Sequence, residues 1–290
     1  MNRENIYLAI KSINKNHGYS ICMLCEIIGI ARSAYYKWLN KIPTKREIEN
    51  QNLIKEMVML YDEVDGIYGY RRLTMNLNRR LCISYNQKRI YRLMKLLGLK
   101  SVIRKKKKRY IKSTPQHVAE NVLNRKFESD KPNLKWVTDV TEFKYGHDKK
   151  AYLSAILDLY DNSIIAYVLG HRNDNPLVFK TLDIALETYS DAQPLLHSDR
   201  GYQYTSHGFK RKIDKAKLTQ SMSRVGRCID NGPMEGFWGI IKSEKYYLNN
   251  YNTFEELKKS IDDYIYFYNY KRLQKRLNSL SPMEFRTSVA

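Results

Sequence analysis

The sequence predicts a mixed α/β domain, preceded by an all-α region of helix-turn-helix character and followed by a short, helical, basic tail. Three observations predict it. The hydrophobic period changes from helix-like to strand-like after Pro132, and three strand-like runs are then followed by helices and strands in alternation. Positive charge gathers in the helical part: residues 1–125 hold 26 Lys and Arg against nine Asp and Glu.

Taken in order, 20–39 reads as two short helices around a turn. Ser20 caps a run with Leu24, Ile27 and Ile28 apolar, Gly29 turns the chain, and Ser33 caps 34–39. This pattern fits a helix-turn-helix and equally a plain helical hairpin. Residues 45–61 carry the helical period, 62–69 break it, and 70–81 and 87–97 resume it around the turn 84–86, with Gly98 where a helix C-cap glycine belongs. The second hairpin carries Arg71, Arg72, Arg79, Arg80, Lys88, Arg89, Arg92 and Lys95, and no acidic residue occurs between Asp65 and Glu120. A solvated helix face would intersperse opposite charges, so Arg71, Arg72 and Arg89 are candidate DNA contacts. The unbroken run Arg104, Lys105, Lys106, Lys107, Lys108, Arg109 repels itself and is predicted to be an extended linker lying along DNA.

Beyond Pro132, the strands are placed at 136–145, 151–160 and 164–170, joined by short turns. A helix at 176–189, a buried strand at 194–198, a helix at 206–216, a strand at 218–222 and a helix at 233–246 follow. Thr253, with Glu255 and Glu256 behind it, caps a last amphipathic helix over 254–268. Lys271, Arg272, Lys275 and Arg276 make the end basic again.

Composition narrows the partners. The 290 residues are 43% hydrophobic and 12% aromatic, which suits a folded core and excludes a disordered or collagen-like chain. With 51 Lys and Arg against 30 Asp and Glu, the net charge of +21 suits nucleic acid and exceeds what a small acidic metabolite needs. The opening MNRENIYLAIKS lacks the apolar core of a signal peptide, and no apolar run is long enough for a bilayer, so a cytoplasmic, nucleoid-associated protein without membrane contact is expected. Four cysteines, Cys22, Cys25, Cys82 and Cys228, are too sparse for a disulfide framework. Cys22 and Cys25 form a lone CxxC with no second pair at zinc spacing, and are expected as two buried thiols on one helix face.

Three acids stand out by context: Asp139 midway along the first strand, Asp199 directly after the buried strand LLHS, and Glu235 near the start of a helix. A carboxylate in or at the end of a strand is costly unless paired, hydrogen-bonded or bound to a cation, and three of them suggest a metal site. Hard carboxylate oxygens suit Mg²⁺ or Mn²⁺. Two such ions would meet the needs of phosphodiester chemistry, which are an in-line oxygen nucleophile, a stabilised leaving oxyanion and neutralised phosphoryl charge.

The motifs WVTDVTEF at 136–143, LLHSDRGYQYTS at 195–206, SRVGRCIDNGPMEGFWGIIKSE at 223–244 and YNYKRLQKRLNSLSPMEF at 268–285 resemble those of the DDE transposases and retroviral-type integrases. The OrfB-type transposases of the insertion-sequence-three family are the nearest match, and SICMLCEIIGIARSAYYKW and YGYRRLTMNLNRRL extend the resemblance to nearly the whole chain. It implies a ribonuclease-H-like catalytic domain in which Asp139, Asp199 and Glu235 form the catalytic, metal-holding triad, Asp139 bridging two ions and the others holding one each. Lys242, two helical turns beyond Glu235, would be the family's DNA-contacting lysine. The implied domains are a helix-turn-helix-like segment at 1–45, a second such region at 46–100, a basic linker at 101–130, the integrase-type core at 131–250 and a C-terminal helix with basic tail at 251–290. The implied activity is Mg²⁺-dependent cleavage and strand transfer at the element's ends. Its partners would be double-stranded DNA (terminal inverted repeats and target), further copies of the chain in a synaptic complex, and an upstream-frame (OrfA) partner or fusion.

Around the triad, Gly201 is expected to free the backbone for a turn after Asp199, and His197 to be a structural histidine, a support for the site or a DNA contact. Trp136 and Trp238 are assigned to core packing, and Asp161 with Asn162 to a turn. Two rivals are a DNA-binding regulator with a non-catalytic core and a tyrosine recombinase using the cluster Tyr264, Tyr266, Tyr268 and Tyr270, for which the sequence offers no HxxR partner upstream.

Overall fold

The computed structural model describes residues 3–103, 120–224 and 228–288, and the chain divides into two compact units, Met1–Asp62 and Glu63–Ala290. The basic run Arg104, Lys105, Lys106, Lys107, Lys108 and Arg109 lies outside the described residues. Among those described, no helix is long and apolar enough to cross a membrane.

The first unit is all helical: α1 (Arg3–His17), α2 (Ile21–Ile28), α3 (Arg32–Leu39) and α4 (Lys45–Glu63). The sequence reading placed no helix at 3–17, yet Ile6, Tyr7, Ile10 and Ile13 form a helical stripe there and pack with Leu24, Cys25 and Tyr35. Ser20 caps α2 as expected, and left-handed Gly29 ends it. Ser33 does not cap α3: the chain leaves Gly29 extended, the helix begins at Arg32, and Ala31 occupies the cap position. Nor are both CxxC thiols buried. Ile21, Leu24 and Cys25 define the inward stripe of α2, which leaves Cys22 exposed on its flank.

The second unit opens with a helical hairpin, α5 (Tyr70–Leu81) and α6 (Gln87–Leu96). Its turn is clamped by Asn78, whose Oδ1 accepts from the Tyr85 amide at 2.8 Å, and Asn86 caps α6. Next come β1 (Lys135–Tyr145), β2 (Lys149–Asp158), β3 (Ile164–Gly170), α7 (Asn175–Thr188), β4 (Leu195–Ser198), α8 (Tyr202–Thr205), α9 (His207–Lys215), β5 (Thr219–Met222), α10 (Gly232–Glu244), α11 (Phe254–Tyr270) and α12 (Pro282–Ser288). The strand β2 starts two residues before its expected place because Gly146 and Asp148 adopt left-handed conformations, tightening the hairpin so that Tyr145 pairs with Lys149. The short helices α8 and α12 were not foreseen. For α12 the signal was present as Ser281-Pro282-Met283-Glu284, in which the Ser281 amide donates to Glu284 Oε2 at 2.9 Å.

The five strands order as β3-β2-β1-β4-β5, the first three antiparallel and β1-β4-β5 parallel, which is the ribonuclease-H-like arrangement. Alternation along β1 divides its side chains between two cores. Trp136 faces α7 and α9, while Val137, Phe143 and Tyr145 face α10 and α11. Leu257, Ile261, Tyr264, Ile265 and Tyr268 make α11 part of the sheet's own core. The end of the chain is tied in by Arg286, whose Nη1 reaches Asp158 at 3.0 Å and Asp161 at 2.7 Å, all three buried. The turn acids are therefore also the anchor of α12.

Candidate active site

Pairing register brings the first two acids together. In the parallel ladder of β1 and β4, Val137 lies opposite His197. Asp139 and Asp199 each follow by two residues, so they emerge side by side on the face covered by α10, just where β4 ends and the ladder opens. Each carboxylate is held on its strand. Asp139 accepts the Val140 amide at 2.8 Å through Oδ1 and the Trp238 indole at 3.0 Å through Oδ2. Asp199 Oδ1 accepts the Gly201 amide at 2.9 Å.

Gly201 has an ordinary φ of −56°, so the turn does not need its conformational freedom. Space is tight instead: a Cβ there would sit 2.8 Å from Gln203 Oε1 and 3.1 Å from Asp199 Oδ1, so both side chains would have to shift. Trp238, assigned to packing by sequence, both packs and orients Asp139. Its signal was its place three residues after Glu235, on the face of α10 that meets β1.

Glu235 stands in the first turn of α10, on the exposed rim, where the positive end of the helix favours a carboxylate. The helix start is pinned to β1 by Asn231, whose amide donates to the Thr138 carbonyl at 3.1 Å. Buried Asp230 accepts from Asn121 and from the guanidinium groups of Arg125 and Arg224, which hold its carboxyl well below the usual range. Neither residue stands out in the sequence, because nothing local shows that Asp230 is buried or that Arg224, six residues before it, and the distant Arg125 close on it.

The electrostatics set this cluster apart. Burial, then repulsion from Asp199, pushes the Asp139 carboxyl up to about 7 against the two donated hydrogen bonds, and Glu235 adds a weaker repulsion. Burial raises Asp199 and Glu235 as well. None of the three acids forms an ion pair with Lys, Arg or His among the described residues. Nor do any three His, Cys, Asp or Glu side chains there close into a metal-binding group: the arrangement is a tight pair, Asp139 and Asp199, with Glu235 at its edge. Two adjacent carboxylates that resist joint ionisation and lack a cationic partner fit a hard divalent cation.

Lys242 lies on α10 as expected, but it turns inward, donating to Thr141 Oγ1 at 2.6 Å with its ammonium 5.2 Å from the Phe143 ring centre. Burial lowers its pKa. His197 is fully buried beneath Asp199, with its two ring nitrogens bonded to Ser221 at 2.9 Å and Ser223 at 3.1 Å, and burial drives its pKa to about 4. It is a neutral tie between β4 and β5 and touches none of the three acids. Arg71 rests on Tyr70, Arg72 pairs with Glu244 at 3.0 Å, and Arg89 lies over Tyr85. Tyr264 and Tyr268 are buried core residues, whereas Tyr266 and Tyr270 stack on each other at the surface.

The chain is similar to known proteins along most of its length. The family model described as an integrase core domain matches residues 129–228, a second integrase core model matches 235–289, and an HTH-like domain model matches 47–107. The chain is 37% identical over 272 residues to the putative transposase InsK of insertion sequence element IS150 from Escherichia coli K12, covering 93% of this chain and 95% of that one. It is 41% identical to a transposase-like protein of Haemophilus influenzae over 213 residues, or 73% of this chain and 98% of the relative. A structure of the HTLV-2 integrase catalytic core domain in complex with magnesium is similar at 18% identity with a TM-score of 0.44, over 54% of this chain and 98% of that one.

Proposed function

The chain belongs to the insertion-sequence-three family of DDE transposases with an integrase core, and on that premise we propose that it cuts and joins DNA strands at the ends of an insertion sequence through Asp139, Asp199 and Glu235. The observation that carries the reading is the pair Asp139 and Asp199, side by side on parallel strands and without a cationic partner among the described residues. These residues would hold one or two Mg²⁺ or Mn²⁺ ions. The bound cations would supply phosphoryl charge neutralisation and activation of the attacking oxygen.

The protein's share is to keep the carboxylates in place. Trp238 and the Val140 amide fix the rotamer of Asp139, the Gly201 amide fixes Asp199, and the tether of Asn231 to Thr138 sets the position of Glu235 on α10. With the phosphate seated, water attacks phosphorus and the strand is released with a 3′-hydroxyl. That hydroxyl then attacks a phosphate of a second strand in the same site. Lys242 lies on the DNA side of α10 once it leaves Thr141, Arg71, Arg89 and the run 104–109 contact phosphates, and Arg72, paired with Glu244, adds positive field behind them. Further parts of the reading are recognition of terminal inverted repeats by the helical regions, a multimer that brings two ends together, an upstream-frame partner, and action in the cytoplasm.

The test is incubation with labelled element ends and Mg²⁺, wild type beside Asp139→Asn and Glu235→Gln. Nicked and joined products from wild type alone, with DNA binding kept by all three proteins, support the reading. Equal product from Asp139→Asn, or a covalent tyrosine–DNA adduct, defeats it.

A further inference from the structure

A second strongly charged feature lies on the catalytic unit, on the flank of α10 away from the carboxylates. It is a groove of about 850 Å³ whose walls are the N-terminal turns of α5, the residues 272–276 that follow α11, and Ile240 of α10. Five cations line it, namely Arg71 and Arg72 from one wall and Arg272, Lys275 and Arg276 from the other, and no acidic side chain lines it among the described residues.

The five cations have different tasks. Arg72 and Arg272 are committed to Glu244, buried at the end of α10: Arg72 Nη1 reaches Oε1 at 3.0 Å, and Arg272 reaches both carboxylate oxygens at 2.7 and 2.8 Å. Glu244 thereby joins both walls to the catalytic helix, and its charge is spent on them. Arg71 and Lys275 are exposed, Arg71 bonded among the described residues to the neighbouring Tyr70 hydroxyl at 3.1 Å, and Arg276 donates to Asn162 at 2.9 Å. The loop carrying Lys275 and Arg276 is closed by the Gln274 amide donating to the Leu280 carbonyl at 2.9 Å, so these cations stand on a fixed support.

Resting on the transposase reading, we propose that this groove is a channel for the phosphate backbone of double-stranded DNA at a distance from the scissile bond. Arg71 and Lys275 grip phosphates from opposite walls, and Arg72 and Arg272 supply the static positive field behind them. Five cations, two of them sharing the single buried carboxylate of Glu244, leave the groove a net positive lining, and with the hydrogen-bonding side chains of Tyr70 and Gln87 it suits a polyanion of regular spacing. Ile240 follows Glu235 by five residues, about 7.5 Å along the axis and about 140° around it, so DNA in the groove passes the far side of α10 from the reacting phosphate.

The test is equilibrium binding of the full chain to a labelled duplex carrying an element end, from about 50 to 200 mM salt. Wild type is compared with R71Q/K275Q, with the charge-matched control K258Q/K259Q on the exposed side of α11, and with the charge-keeping R71K/K275R. Thermal midpoints establish that each variant is folded. Each lost phosphate contact removes about 0.9 from the slope of log affinity against log salt, so R71Q/K275Q should lower the slope by about two and weaken binding at least tenfold at low salt. The control and R71K/K275R should stay near wild type. A slope for R71Q/K275Q equal to the control's, or lost equally in R71K/K275R, overturns the channel. Asp139→Asn separates the two readings: if it stops cleavage while the groove variant binds like the control, the channel alone fails, and if it cleaves normally, the transposase reading fails whatever the slopes.

Discussion

Acids wholly or partly withdrawn from solvent occur in two kinds in this molecule, the first fully buried and the second half-buried. Asp158 and Asp161 share Arg286, Glu244 is held by Arg72 and Arg272, and Asp230 by Arg125 and Arg224. Among the described residues, Asp139 and Asp199 have neutral donors around them, two amides and an indole. Arginines stand beside each of the other acids named, and on the proposed reading the pair left without one keeps its charge for something that comes and goes. The arginine-bound acids are struts, while the other pair is a socket.

The most severe way to probe the contrast is Asp139→Asn. It should lower strand cleavage on the order of ten-thousandfold while the fold and DNA affinity persist, measured by product formation and by binding on the same preparation. Retained cleavage would erase the distinction between socket and strut. Removing a strut should do the reverse. Arg286→Leu leaves Asp158 and Asp161 buried without compensation and should cost about 3–5 kcal/mol in denaturant unfolding. A loss below 1 kcal/mol would mean that those acids are protonated or solvated after all.

A middle-sized effect sharpens the comparison through pH. The Asp139 carboxyl sits near 7 in the folded chain and near its ordinary value, about 3.9, when unfolded. Between those values the folded state holds a proton that the unfolded state has released, so metal-free stability falls as pH rises through the window. Asp139→Asn removes that fall. Its melting temperature relative to wild type in chelator should rise from pH 4 to pH 7 and then level off, and Mg²⁺ at pH 8 should raise the midpoint of wild type only. Parallel pH curves for the two proteins would contradict the assignment. The smallest effect is expected at the surface. Glu142→Gln breaks an exposed pair with Lys150 and should change stability by less than about 0.5 kcal/mol, which sets the scale for the struts in the same unfolding assay.

The sequence carried the strands, the catalytic helix and the three acids, because these elements have strong periods and the acids sit where a strand or helix makes them conspicuous. It did not reveal what depends on distant partners. Asp161 reads as a turn residue because Arg286 lies more than a hundred positions away, and Trp238 reads as packing because an indole donor looks the same in sequence whether or not a carboxylate faces it. Gly201 was recognised for the wrong reason: its side-chain vacancy, not its backbone freedom, is what Asp199 uses. The helix α1 is less legible because charged and polar residues interrupt its apolar stripe of Ile6, Tyr7, Ile10 and Ile13, whose partners Leu24, Cys25 and Tyr35 lie on later helices.

The parallel alignment of Val137 with His197 has a bearing on how such chains tolerate insertions and deletions. The connection from the end of β1 to the start of β4, with its hairpin, third strand and helix, can lengthen or shorten without moving either acid, because each is measured only from its own paired neighbour. The overhang of two residues has no such latitude. A single deletion between Val137 and Asp139, or between His197 and Asp199, would swing one acid through the sheet to the opposite side. Drift in the family should therefore leave those two short intervals untouched while the sixty-residue excursion between them varies.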